Sequence, residues 1–362
     1  MPDTQAPPAR PKLGEIARDL HGMAGIGAAS KSFTDTLMEN PDSVLAARGR
    51  DLKIYDEMLR DDQVKSTFQQ RRAAVTSCDW DVEPASESAA DTAVADIVRE
   101  QLQGVPWDAI TDQMLYGVYY GYSVAEMLWA TDGAQIVIDG IRVRNRARFQ
   151  YDLDYQLRLV DDMSPQGKQM PERKFWQFNA GASTADNPYG LGLAHSLYWP
   201  VFFKRSDIKF WLIFLEKFGM PTTAGRLPGG RIDDISEQQK AITALQAIQT
   251  DSAVLIPEDM TIELIEAARS GTADYTALYE RMDKAIAKVV LSQTMTTEDG
   301  SSRAQAQVHK GVADWVVNSD ADLLCESFNR GPIVWLTAWN FPQAQPPRVW
   351  RHTEPPEDLQ AR

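Results

Sequence analysis

Residues 187–221 read NPYGLGLAHSLYWPVFFKRSDIKFWLIFLEKFGMP. This composition predicts a glycine-bearing loop followed by one long helix over 194–218, with Pro200 in its first turn or at a kink. The helix is apolar nearly all round, and such a helix is buried in a large core or against partner subunits. We therefore expect an oligomer. The tryptophans and phenylalanines of the helix are Trp199, Phe202, Phe203, Phe210, Trp211, Phe214 and Phe218.

The composition of the 362-residue chain excludes several classes of protein. Its formal net charge is −14, and its only cysteines are Cys78 and Cys325. Two cysteines exclude a disulfide-built secreted domain, and with four scattered histidines they give no zinc-binding spacing. The N-terminus lacks the apolar core of a signal peptide, and charges interrupt the apolar runs of 197–218 before they could span a bilayer. We expect a soluble protein of a reducing cytoplasm, with no metal or other cofactor and no membrane contact.

The chain upstream of the aromatic helix has the pattern of an α+β fold. Helices are predicted over 41–60, 91–102 and 107–122. A short strand is predicted around Trp80. From Ser123 to Phe178 the hydrophobic period changes to two, which predicts a small antiparallel sheet unit. Turns within it are predicted at Asp132–Gly133, Asp139–Gly140 and Ser164–Gly167.

Four arginines of this sheet region occupy alternate positions, so a straight strand would point them the same way. They are Arg142, Arg144, Arg146 and Arg148. Such a stripe could contact phosphates. The alternative is a solvated strand face whose arginines pair with nearby acids, since surface ion pairs are common. We favour this second interpretation. The nearby acids are Asp152, Asp154, Asp161 and Asp162.

Downstream of the aromatic helix the chain alternates between short and long elements. Residues 219–268 predict a small α/β segment in which a capped helix near Ser236 lies between strand-like runs. Two helices with clear apolar stripes follow, over 272–293 and 303–328. The residues between them, TMTTEDGSSR, are polar and include a glycine, which predicts a loop.

No motif of the sequence completes a catalytic or metal site. The segment Gly25–Ser32 comes near a phosphate-binding loop, but Ser30 stands where a glycine must precede the lysine. Three acid pairs lack a third ligand for a metal ion. They are Asp152/Asp154, Asp161/Asp162 and Glu298/Asp299.

Acidic residues dominate two stretches, 81–101 and 251–266. A protein that grips DNA needs clustered positive charge to displace counterions, and this chain lacks such a cluster overall. We therefore expect any contact with DNA to be a smooth surface of low affinity.

Four segments carry more specific information than any single motif. They are QQRRAAVTSCDWDVEP (69–84), the segment 187–221, SQTMTTEDGSSRAQAQVH (292–309) and NFPQAQPPRVWRHTEPPEDL (340–359). Their succession resembles the portal proteins of Mu-like tailed bacteriophages, from about Gly14 to Leu359. The most distinctive parts are Phe-Gly-Met-Pro after the aromatic helix and the loop Thr-Thr-Glu-Asp-Gly-Ser-Ser.

The resemblance implies a ring of twelve identical subunits at one vertex of the phage head. The terminase large subunit pumps double-stranded DNA through such a ring without sequence specificity, and the DNA later leaves through it into the tail. The other implied partners are the major capsid protein and a head-tail adaptor. The protein would lie in the virion after assembly in the host cytoplasm, and it would not be an enzyme.

The family's fold has an α+β wing, a helical stem, a small α/β clip and a tunnel loop between two long helices. The resemblance maps these parts as an N-terminal arm (1–39), a wing (40–190), stem helices (194–218 and 272–293), a clip (219–268), a tunnel loop (294–303), a wing-spanning helix (303–328) and a C-terminal segment (329–362). The family's helical crown would follow Arg362, so we expect it to be absent or removed.

Two sets of site residues are expected. By family position and loop composition, the tunnel loop lines the narrowest part of the channel with Thr294, Met295, Thr296, Thr297, Glu298, Asp299, Gly300, Ser301, Ser302 and Arg303. The subunit interface is expected to contain Trp199, Phe203, Phe210, Trp211, Phe214, Phe218, Met282 and Ile286.

Two other functions stay open at this point. A head or tail adaptor without a channel would explain the apolar helix and the acidic charge, but not the polar loop between two long helices. A metal- or nucleotide-dependent DNA enzyme would need the acid pairs or Lys31 to belong to complete motifs, and they do not.

Overall fold

The computed structural model describes residues 37–161, 163–218, 222–226, 234–250, 261–265, 275–293 and 303–353. Helices and small sheets succeed each other in these residues, which confirms the predicted α+β class. The helices are α1 (Ser43–Ala47), α2 (Lys53–Met58), α3 (Asp62–Thr76), α4 (Ala89–Gln103), α5 (Trp107–Met114), α6 (Tyr116–Tyr120), α7 (Leu193–Phe218), α8 (Ile235–Thr250), α9 (Tyr275–Leu291), α10 (Arg303–Phe328) and α11 (Val334–Asn340). The strands are β1 (Trp80–Glu83), β2 (Tyr122–Asp132), β3 (Gln135–Arg144), β4 (Phe149–Tyr151), β5 (Leu157–Asp161), β6 (Ser164–Gln169), β7 (Phe175–Asn179), β8 (Thr222–Arg226), β9 (Thr261–Ile265) and β10 (Arg348–Arg351).

The long helices agree well with the sequence patterns. α7 begins one residue before the predicted 194–218, and α10 has the predicted bounds. The helix predicted over 41–60 is wrong, because the left-handed backbone of Gly49 and Arg50 (φ 79° and 62°) separates α1 from α2. None of the described helices is long and apolar enough to cross a membrane.

The chain divides into two compact units. The larger unit contains Met1–Val201 and Lys284–Arg362, and the smaller unit is Phe202–Asp283. Both boundaries fall inside helices, since α7 and α9 each belong partly to the larger unit and partly to the smaller one. This division does not test the assignment of segments to wing, stem and clip, which stays a prediction.

The strands form small antiparallel sheets, as predicted. One three-stranded sheet has the order β3-β2-β7 and another has the order β4-β5-β6, while β1 pairs with β10 and β8 with β9. The turn predicted at Ser164–Gly167 is wrong, because these residues belong to β6. β6 is an edge strand of its sheet, and an edge strand tolerates Pro165 because its missing N–H need not serve a neighbour.

A bulge at Asp139 replaces the turn predicted at Asp139–Gly140. Leu128 of β2 pairs with Gly140 and Trp129 pairs with Ile138, so Asp139 is the extra residue of β3. An extra residue reverses the alternation of side chains along a strand. Ile138 before the bulge and Ile141 after it therefore lie in the same core, although their parity in the sequence differs.

The arginine stripe does not form the predicted solvated face. β3 ends at Arg144, so a short 3-10 turn and not a strand carries the next two arginines. Arg144 is buried, and its Nη2 lies 2.9 Å from Oε2 of Glu126, a fully buried residue of β2. The guanidinium of Arg146 lies 3.9 Å from the ring centre of Tyr120. Only Arg142 of the four is exposed.

Three apolar clusters of the larger unit organise these elements. One lies between the β3-β2-β7 sheet and helices α4, α5 and α10, with Trp107, Trp176 and Phe328 at its centre. A second joins α2, α3 and α6 to the first turns of α7 and the last turns of α9. The third lies between β2, β7 and the β4-β5-β6 sheet. The start of α7 is thus packed inside the larger unit.

Four glycines allow the β3-β2-β7 sheet and the loop before α7 to approach each other closely. Gly121 precedes β2, Gly181 follows β7, and Gly190 and Gly192 lead into α7. A Cβ on any of the four would lie within 3.0 Å of main-chain atoms of the facing segment. Backbone N–H of Leu191 donates to the carbonyl of Ala180 at 3.0 Å, which joins the two segments directly. The glycine-bearing loop predicted from the sequence is therefore a close main-chain contact.

Gly190→Ala should destabilise the chain by about 3 kcal/mol, because Gly190 combines a φ of 66° with main-chain atoms at the place of a Cβ. Gly133→Ala is the matched control, since Gly133 has a φ of 57° and open space around it. It should cost only about 1 kcal/mol. Chemical denaturation of both variants checks the difference, and equal losses would contradict the role assigned to the close contact.

Candidate functional site

The part of α7 that lies in the smaller unit buries two charged side chains and leaves large apolar ones exposed. Lys204 and Asp207 are 1% and 4% exposed, whereas Phe210 and Leu212 are 59% and 61% exposed. A surface helix of a soluble monomer has the opposite arrangement, because each Å² of apolar surface left in water forgoes about 25 cal/mol. The exposed face of α7 therefore has the character of a surface that another molecule covers.

The buried charges of α7 face α9 within the smaller unit. Nζ of Lys204 lies 2.6 Å from Oδ1 of Asp283 and 4.6 Å from the ring centre of Tyr279. One turn further on, Oδ2 of Asp207 has no hydrogen-bond partner among the described residues, and burial raises the pKa of this carboxyl. These charges gain little net stability from burial, because desolvation offsets their attraction. Their effect is to fix which side of α7 faces α9 around residues 204–207.

The exposed apolar face of α7 is wider than its aromatic residues alone would make it, and it runs round the helix at 210–213, where four consecutive residues are exposed. Aliphatic side chains between the rings are also exposed, and the sequence reasoning missed them because it counted aromatic residues only. The run FWLIFL (210–215) contained the signal. The exposed large apolar residues of α7 are Trp199, Phe202, Phe203, Ile208, Phe210, Trp211, Leu212, Ile213 and Leu215.

The predicted interface residues fall into three groups. Those that are exposed are Trp199, Phe203, Phe210 and Trp211. Phe214, with its ring centre 5.6 Å from that of Tyr275, and Met282 are half-buried. The prediction for Ile286 is wrong, because this residue is fully buried in its own chain's core. The side chain of Phe218 lies outside the described residues.

The predicted tunnel loop falls almost wholly outside the described residues. Residues 294–302 are not among them, and Arg303 is the first residue of α10. The helices on either side are described, and α9 ends at Leu291. Arg71 of α3 makes hydrogen bonds to both helices.

One carboxylate ties the start of α7 to the N-terminal helices. Asp42 caps α1 by accepting hydrogen bonds from the backbone N–H groups of Val44 and Leu45. It also accepts a 2.5 Å hydrogen bond from the hydroxyl of Tyr55, and its Oδ1 lies 2.9 Å from Nδ1 of His195 in the first turn of α7. The first turn of α7 is therefore held by polar contacts as well as by the apolar cluster around it.

The acid pairs that lie in the described residues make structural contacts. Oδ1 of Asp152 accepts hydrogen bonds from the backbone N–H groups of Asp154 and Gln156, and Oδ2 lies 2.6 Å from Arg158. Asp161 accepts a 2.7 Å hydrogen bond from Nζ of Lys168, which holds the pKa of this carboxyl below its usual range. Asp162, Glu298, Asp299 and the Gly25–Ser32 segment lie outside the described residues.

The family model described as the portal protein of Mu bacteriophage matches residues 52–362. The chain belongs to this portal family. It is 30% identical to the portal protein of Escherichia phage Mu over 294 residues, which cover 79% of this chain and 56% of that protein. It is 29% identical to the Mu-like prophage FluMu protein gp29 of Haemophilus influenzae over 311 residues, which cover 82% and 59%. The chain thus spans less than two thirds of these portal-family relatives.

A solved structure shares the fold of this chain at low sequence identity. A chain from the neck of the native GTA particle, computed with C12 symmetry, has a TM-score of 0.56 to this chain at 10% identity. The match covers 90% of this chain and 88% of that chain. At this identity the likeness concerns the fold alone.

Asp161→Asn should lower the stability of the portal-family chain at neutral pH by about 0.5 kcal/mol, because Lys168 is half exposed. The folded pKa of Asp161 lies below the unfolded value of about 3.9. The difference between wild type and variant should therefore be present above about pH 4 and disappear as the pH falls through the folded pKa. Urea unfolding over this pH range checks it, and a difference that persists in strong acid would refute the assignment.

Proposed function

We propose that this chain is the subunit of a phage portal ring, the channel through which double-stranded DNA enters a capsid and later leaves it for the tail. The observation that carries the proposal is the exposed apolar face of α7, since a patch of this extent marks an interaction surface. Membership of the portal family supplies the partner, which is a further copy of the same chain.

A ring of identical subunits needs two different patches on each subunit, one of which meets the other on the next copy. The α7 face supplies one of these patches in the proposal. The neck of the native GTA particle, which contains a chain of the same fold, was computed with C12 symmetry. This symmetry supports a ring of twelve subunits here.

The charge of the chain suits a channel through which DNA slides. Every contact between a basic residue and a phosphate adds salt-dependent affinity, and many such contacts would hold DNA in place. The chain has a net charge of −14, and the segment 294–303 carries two acids and one base. We place this segment, the tunnel loop, at the narrowest part of the channel.

The proposed ring lies at one capsid vertex of the virion, after assembly in the host cytoplasm. Its proposed partners are the major capsid protein, the terminase large subunit during packaging, and a head-tail adaptor. Residues 40–190 are the proposed wing, 194–218 and 272–293 the stem, and 219–268 the clip. The portal family is structural and not enzymatic, so the proposal assigns this chain no reaction of its own.

Phe210→Glu should prevent the ring from forming, because it places a charge in the centre of the apolar face that a neighbour would cover. Light scattering should then show the mass of one 40.5 kDa chain and not about 490 kDa for twelve copies.

Met163→Glu is the control for this variant. Met163 is 89% exposed on the turn between β5 and β6, and the proposal does not place it in the interface, so its substitution should leave the ring intact. Loss of the ring in both variants, or in neither, would argue against α7 as the interface.

Deletion of residues 296–301 should leave the ring intact but abolish packaging or retention of DNA, because it shortens the proposed tunnel loop. Counting DNA-filled heads by electron microscopy in a phage that carries the deletion checks this. A structural adaptor without a channel is the competing function, and it predicts normal filling. A variant in which the six residues are replaced by alternating glycine and serine tests whether length or side chains matter.

A further inference from the structure

One guanidinium joins the two helices that flank residues 294–302. Arg71 lies on α3, and its Nε and Nη2 donate hydrogen bonds of 2.6 and 2.8 Å to the two carboxylate oxygens of Asp320 on α10. Its Nη1 donates a third hydrogen bond of 2.6 Å to the backbone carbonyl of Val290 on α9. All three residues belong to the larger unit.

The contact with α9 is made where that helix ends. Val290 is the residue before the last of α9, and Ser292 leaves the helix with a φ of 57°. The last carbonyls of a helix have no partner within the helix and need one from outside. Arg71 supplies it for Val290, whose side chain is fully buried in the cluster around the start of α7.

The contact with α10 fixes both the distance and the relative orientation of the Arg71 guanidinium and the Asp320 carboxylate. Two parallel N–H···O bonds between a planar guanidinium and a carboxylate set the relative orientation of the two groups. The side chains of Arg71 and Asp320 are 11% and 6% exposed, so little water competes for these bonds. α10 and the end of α9 are therefore held against the same point of α3.

We propose that Arg71 is a positioning residue that holds the end of α9 in a fixed relation to α10, at Asp320, 17 residues after α10 begins. Its consequence for DNA rests on the proposed function, in which the residues between these helices line the channel. The distance between the two helices does not rest on that function and can be measured by itself.

The matched control is Arg351, an arginine of the larger unit whose side chain is fully buried. Its guanidinium donates to Asp108 and Thr111 of α5 and to the backbone carbonyl of Cys78. It makes as many hydrogen bonds as Arg71, yet none of them reaches α9 or α10. Arg351→Lys and Arg71→Lys should therefore cost comparable stability, while only Arg71→Lys frees the two helices, because lysine lacks the planar fork.

The experiment measures a distance between spin labels on Lys288→Cys in α9 and Asp322→Cys in α10, both exposed positions. The 362-residue chain carries Cys78→Ser, and Cys325 stays because burial raises the pKa of its thiol to about 11, which suppresses labelling. Labelled chains are diluted in unlabelled ones so that distances between subunits do not contribute.

Arg71→Lys should at least double the width of the distance distribution, and Arg351→Lys should leave it unchanged. If Arg71→Lys does not fold, Asp320→Asn replaces it, since it keeps the shape of the side chain and weakens the same bonds. An unchanged width in the folded variant, or an equal broadening in the control, would overturn the proposal.

The second readout is the number of DNA-filled heads in phage that carry each variant. Arg71→Lys should reduce it at least tenfold relative to Arg351→Lys, with rings still formed. A broadened distance with normal filling would mean that Arg71 positions the helices and that the channel role of 294–303 is wrong. Normal distance and normal filling would remove Arg71 from the mechanism and leave the proposed portal function standing.

Discussion

The fold depends on a contact between backbones that only glycine permits. Gly121, Gly181, Gly190 and Gly192 bring the ends of β2 and β7 against the loop that enters α7, with no room for a Cβ at any of them. This contact fixes where α7 starts, and the Asp42–His195 pair and the surrounding apolar cluster fix its direction. α7 extends for 26 residues, about 39 Å. A small change of angle at the junction would therefore displace the far end of the helix by several ångströms.

In α7, two charged side chains are buried while large apolar side chains are exposed, and both features cost free energy in a single chain. Lys204 and Asp207 are taken out of water on the side of α9, at a desolvation cost that the ion pair with Asp283 offsets in part. The exposed rings and aliphatic side chains of α7 stay in water in a single chain, which is also unfavourable. Covering this face with a neighbouring copy would recover that second cost, so assembly into a ring and stability of the subunit would be coupled.

Much of the fold could be predicted, because helices and strands are local. The hydrophobic period gave the bounds of α7 and α10 and the change to antiparallel strands near Ser123. The wrong predictions lie where one or two residues interrupt a helix or reverse the alternation of a strand, or where an edge strand tolerates a proline. The bulge at Asp139 reversed the alternation in β3, Gly49 and Arg50 divided one helix into two, and Pro165 fitted an edge strand. The alternate spacing of the four arginines predicts one face only for a strand that continues beyond Arg144, and β3 ends at that residue.

The sequence by itself determined the α+β class, the long apolar helix and the resemblance to the Mu portal family, since each is carried by order and spacing along the chain. Only the tertiary structure decided which side of each helix faces its own core. Ile286 lies in the chain's own core and Leu212 lies outside, although both looked equally apolar in the sequence. Arg71 could not be found from the sequence either, because its partners are more than 200 positions away. Periodicity is a property of one helix, whereas burial depends on what the rest of the chain packs against it.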